Sequence, residues 1–90
     1  MKPLFHPGRV YATRGALALA KRNRSDLLAL VSRHVLCDPG TLGDADRQAN
    51  LDAIKYGGRV FSSYLLAGKK VWVITEADRN ATTILLPSEY

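Results

Sequence analysis

The sequence predicts an α+β domain in which two or three short N-terminal helices pack on a three-stranded antiparallel β-meander. Two observations carry this. Apolar residues recur with a period of about 3.6 as far as Tyr56, and the spacing changes to alternation from Arg59 onward. Turn-forming clusters then divide the second part into three short runs. Ninety residues make one domain, 1–90, with a helical part over about 13–57 and the meander over about 59–87.

Residues 1–8 hold Pro3, Pro7 and Gly8 and read as an extended lead-in. Arg9-Val10-Tyr11-Ala12 reads as a candidate short strand. Thr13 is suited to cap a helix from Arg14 to about Arg22, whose alanines and leucines are strong helix formers. Ser25 is the expected N-cap of a second helix, with Asp26 at the positive end of its dipole. Leu27, Leu30, Val31, His34 and Val35 there give one apolar face at i, i+3, i+4, i+7 spacing.

Asp38-Pro39-Gly40-Thr41-Leu42-Gly43 has the chemistry of a loop. Asp44 is the expected cap of a third helix, Ala45 to Tyr56, ended by Gly57 and Gly58. Arg59 to Leu66, Lys70 to Thr75 and Thr82 to Leu86 are the expected strands, joined at Ala67-Gly68-Lys69 and at Glu76-Ala77-Asp78-Arg79-Asn80. In the middle strand Val71, Val73 and Thr75 alternate with Trp72, Ile74 and Glu76. Both sets are largely apolar, so this strand is expected to be covered on both faces, the second by a partner chain such as another copy, and Trp72 is expected in the core.

Apolar residues make up 47% of the chain and charged residues 23%, which is globular rather than disordered composition. The single cysteine, Cys37, excludes an internal disulfide framework. Lys21 and Arg22 end the apolar run at Ala16 to Ala20 far short of a membrane span, so no membrane partner is expected and the cytoplasm is the expected compartment. The net charge is +5, but residues 1–36 alone carry +6 and residues 37–90 carry −1. Such a one-sided positive field favours an anionic partner: nucleic acid, nucleoprotein or an acidic protein face.

Most catalytic signatures and metal-ligand spacing are absent. Gly57-Gly58-Arg59 lacks phosphate-loop spacing, and His6, His34 and Cys37 lack metal-ligand spacing, so no catalytic residue, metal or cofactor is assigned. Candidate binding groups form two clusters. Lys21-Arg22-Asn23-Arg24, with Arg33 near it, gathers more cations in one turn than a helix dipole needs. The segment Thr75 to Asn80 followed by Thr82-Thr83 offers Arg79 to an anion with threonine donors beside it and Glu76 as a base; alternatively Asp78 and Asn80 close a turn while Glu76 pairs with Arg79. The candidate binding set is Lys21, Arg22, Arg24, Arg33, Arg59, Glu76, Asp78, Arg79 and Thr82.

Three segments carry a resemblance: Arg59-Val60-Phe61-Ser62-Ser63-Tyr64, then Val71-Trp72-Val73-Ile74-Thr75-Glu76-Ala77-Asp78-Arg79, then Thr82-Thr83-Ile84-Leu85-Leu86-Pro87-Ser88-Glu89-Tyr90. They resemble a family of short proteins carried by plasmids, integrative elements and phages, a family without an established activity. Its members tend to have Gly-Asp-Trp-Gly where this chain has Cys37-Asp38-Pro39-Gly40. The resemblance implies an accessory protein of a mobile element that binds a host or element protein or nucleoprotein complex, for example an inhibitor of a defence nuclease of the anti-CRISPR or anti-restriction kind. A basic chain is a poor DNA mimic, so such an inhibitor would dock on a guide-RNA-loaded complex or an acidic groove. Direct nucleic-acid binding is the alternative. A small ribonuclease-like toxin using Arg79, Glu76, His34 and Tyr64 is the third reading.

Overall fold

A computed structural model describes residues 2–90. The elements in order are β1 (Arg9–Ala12), α1 (Arg14–Arg22), α2 (Leu27–His34), α3 (Asp44–Tyr56), β2 (Val60–Leu66), β3 (Lys69–Thr75) and β4 (Ala81–Leu85), closed by a 3-10 turn over Pro87–Glu89. The architecture is α+β, three helices on one mixed sheet of order β1-β4-β3-β2.

The expected meander is present as β2, β3 and β4, antiparallel in register Ser62↔Val73 and Val73↔Ile84. The sheet has a fourth strand, however. β1 lies parallel to β4, Arg9 opposite Ala81 and Ala12 opposite Ile84. Local alternation cannot reveal a pairing across some seventy residues. Gly8 makes it sterically feasible: at φ +66°, a Cβ there would fall 2.4 Å from the Arg79 carbonyl oxygen.

Thr13 caps α1 as expected, its hydroxyl accepting from the Ala16 amide. Two caps differ by one residue. Asp26, not Ser25, accepts from the Leu28 amide to start α2, because Ser25 is already used in closing α1. Gly43, not Asp44, is the N-cap of α3, and Asp44 sits in its first turn, where a carboxylate still complements the dipole.

The core lies between the helices and the sheet face formed by Tyr64, Leu66, Val71, Val73 and Ile84, with Ala16, Leu19, Leu30, Val31 and Val35 from α1, α2 and its end. On the far face the cover comes from the chain itself. Tyr90 packs edge-on against Trp72 and Trp72 against Phe61, while Ile74 and Leu85 are buried on the same face. Trp72 is therefore half-buried on the far face rather than in the helix-side core. The turn that carries Tyr90 is tied to α1, since Glu89 accepts from the Thr13 hydroxyl and the Gly15 amide.

The two edges of the sheet end differently. At the β2 edge, the Asn50 side chain of α3 donates to the Phe61 carbonyl at 2.7 Å and accepts its amide at 3.0 Å. Next along, the Ser63 amide donates to the Pro39 carbonyl and the Ser63 carbonyl accepts from the Thr41 amide. Gly40 permits that close approach, because a Cβ there would stand 2.0 Å from the Ser63 carbonyl oxygen. The β1 edge has no such cover among the described residues.

Candidate binding surface

The polar hairpin cluster is engaged in holding the fold. The Arg79 guanidinium donates to the carbonyls of Gly58 (2.5 Å), Glu76 (3.0 Å) and Ala53 (2.9 Å), so it closes the C-terminal turn of α3 onto the β3–β4 hairpin. It also lies over the Phe5 ring. Glu76 pairs with Arg59 at 3.2 Å rather than with Arg79, and Arg59 further donates to the Tyr90 hydroxyl. Asp78 accepts from the Asn80 amide and closes the turn. Arg33 pairs with Asp38 at 2.7 Å and stacks on the Tyr64 ring, which holds the Asp38 carboxyl below the usual carboxylate range.

Thr82 lies in the core, in a polar chain that sequence reasoning did not find. The Thr82 hydroxyl donates to the Pro7 carbonyl at 2.7 Å, which can only accept. Thr75 must then donate to Thr82, so it accepts from His34 Nε2–H at 2.9 Å, and His34 Nδ1 accepts from the Ser62 hydroxyl at 2.6 Å. The network thus assigns one neutral tautomer. Burial, reinforced by the positive charge of Arg79, pushes the His34 ring down to about 4. The available signal was that Ser62, Thr75 and Thr82 occupy inward-facing strand positions opposite a histidine on the apolar face of α2.

His34, Tyr64, Glu76 and Arg79 do not converge on an open cleft. His34 is fully buried, and Tyr64 donates to the Asp38 carbonyl with burial pushing its hydroxyl up to about 12. Cys37 is buried with its thiol pushed up by burial, and His34 points away from it into the polar chain. No group of three or more potential metal ligands gathers among the described residues. No helix there is long and apolar enough to cross a membrane.

Lys21, Arg22 and Arg24 stand apart from the rest of the candidate set. All are exposed, and their side chains enter no ion pair or hydrogen bond with any described residue. They occupy the corner where α1 ends. Ser25 N–H bonds the Ala20 carbonyl and Arg24 N–H the Lys21 carbonyl, the pattern of a Schellman cap. In that motif the residue at the left-handed position is usually glycine; here it is Arg24, at φ +50°. The corner also overlooks a groove of about 530 Å³ between β1 and the helices, with Ala12 and Ile84 near Leu17, Leu28 and Lys21. Leu17 and Leu28 are more than half exposed there.

Comparisons of the chain with protein-family models, with curated proteins and with solved structures return no match.

Proposed function

We propose that the protein works by non-catalytic binding, using the α1–α2 corner to engage an acidic surface of a protein or nucleoprotein complex. One observation carries this reading: Lys21, Arg22 and Arg24 are left without internal partners, whereas Arg33, Arg59, Glu76, Asp78, Arg79 and Thr82 are spent on the fold. An arginine in the left-handed cap position adds to it. Such a residue destabilises the turn by about 1 kcal/mol relative to glycine, and unlike Arg79, which shares this backbone conformation, Arg24 has a side chain with no internal hydrogen bond. The resemblance to mobile-element proteins suggests the target, a host-defence nuclease complex.

The test is affinity capture from host lysate with the tagged protein, with and without nuclease treatment. The expected result is a protein complex that survives nuclease and is lost with the triple variant Lys21→Glu, Arg22→Glu, Arg24→Glu, whose circular dichroism stays unchanged. Equal capture by the folded variant overturns the reading. The basic first third also favours direct nucleic-acid binding. That reading predicts a mobility shift with naked DNA or RNA whose affinity falls steeply with salt.

A further inference from the structure

The groove and the open sheet edge are parts of one surface. Arg9 N–H donates to the Asn80 carbonyl and Thr13 N–H to the Ile84 carbonyl. Alternate residues of a strand turn their backbone groups to the same side, so Arg9, Tyr11 and Thr13 face β4 while Val10 and Ala12 face outward. The outward amides and carbonyls of Val10 and Ala12 have no partner among the described residues. Arg9, Val10 and Tyr11 are exposed, and the strand has no proline or bulge to discourage pairing. An edge of this kind is a template for another strand.

We infer that the outer edge of β1 receives an extended acidic segment of the partner as an additional strand, with alternate apolar side chains entering the groove between Leu17 and Leu28. The inference rests on the binding role proposed above and names its geometry. Charge selects the occupant. Lys21 lines the groove, and Arg9, Arg14, Arg22 and Arg24 are the other exposed cations of β1, α1 and the α1–α2 turn. The one acid lining it, Asp26, has its carboxylate turned to the Leu28 amide as a helix cap. A segment alternating apolar with Asp or Glu meets both the groove and the cations, whereas a second copy would bring the +6 of its residues 1–36 against the same sign. The groove, about 530 Å³ and open to solvent, has the volume of a small ligand pocket.

The decisive variant is Val10→Pro. The substitution removes an outward N–H that no internal partner uses, and proline is tolerated on an edge strand whose N–H faces solvent. The probe is a fluorescein-labelled synthetic heptapeptide alternating Val or Ile with Glu or Asp, titrated by fluorescence anisotropy. The wild-type chain is expected to bind it, Val10→Pro to bind about tenfold more weakly, and a peptide N-methylated at alternate amides to bind neither. In the wild-type complex the Val10 and Ala12 amides should gain hydrogen-exchange protection, a readout that does not depend on the variant folding. No binding by the wild type overturns the inference, as does equal binding by Val10→Pro without amide protection. Binding that is insensitive to Val10→Pro but lost on the triple charge reversal leaves the basic corner standing and removes strand addition. A dimer in analytical ultracentrifugation that Val10→Pro dissolves assigns the edge to a second copy and also overturns it.

Discussion

The β2 and β1 edges of the same sheet are finished in opposite ways. At β2 the outward groups of Phe61 and Ser63 are matched by the Asn50 carboxamide and by the Pro39–Thr41 backbone, so the edge is closed to any further strand. At β1 the outward groups of Val10 and Ala12 face solvent beside an apolar groove and a cluster of unpaired cations. An open edge risks aggregation, and natural proteins generally blunt it. Here one edge is blunted by a side chain placed with residue-level fit. The other is left uncovered among the described residues, which is the feature the proposed strand addition uses.

The largest effect expected from breaking this contrast is a response to acid. His34 bolts the helical layer to β2 through Ser62 and to β3 through Thr75, and the chain continues through Thr82 of β4 to Pro7; β1 takes no part. The ring titrates at about 4 in the fold against 6.5 in the unfolded chain, so between those values the unfolded state binds more protons. The stabilisation is therefore complete above pH 6.5 and is lost as pH falls toward 4, by about 3 kcal/mol. Urea unfolding across that window should show the slope, and a folded His34→Gln variant should lack it.

Opening the closed edge is the next largest. Asn50→Ala leaves the Phe61 amide and carbonyl without partners at a site only partly reached by water, and should lower stability by about 2 kcal/mol. It should also make the β2 edge a site of self-association, measured by light scattering. An unchanged unfolding midpoint would show that Asn50 does not seal the edge.

Arg24→Gly acts in the opposite direction. Glycine relieves the left-handed backbone, so the variant should be more stable by about 1 kcal/mol while its capture of an acidic partner weakens. A gain in stability with undiminished capture would separate the cap from the binding surface. Smallest of all is the stability change in Val10→Pro, expected within about 0.5 kcal/mol because the β1–β4 ladder does not use the amide it removes. A large loss would mean that the outward amide has an internal role.

Much of the layout was legible in the chain. The three helices follow from apolar spacing at Leu27, Leu30 and Val31, from the Thr13 cap and from Gly57; the meander follows from alternation between Val71 and Thr75. These are local signals, set by residues a few positions apart. The polarity of the 75–82 segment was legible too, and so was the turn closed by Asp78 and Asn80, but the employment of Arg79 and Thr82 was not. Whether Arg79 grips an anion or the carbonyls of Gly58 and Ala53 depends on the position of a helix some twenty residues earlier in the chain. The same holds for Thr82, whose hydroxyl is turned inward to Pro7 only because the lead-in segment crosses there.

The sequence by itself determined the α+β class, the order and approximate bounds of the elements, and the concentration of positive charge in the first third, because propensity, periodicity and charge are properties of neighbouring residues. Tertiary structure alone decided the parallel addition of β1, the closure of one edge and exposure of the other, and the choice of which cations remain free. Each of these depends on backbone and side-chain groups far apart in sequence meeting at hydrogen-bond distance, and no local pattern encodes that meeting.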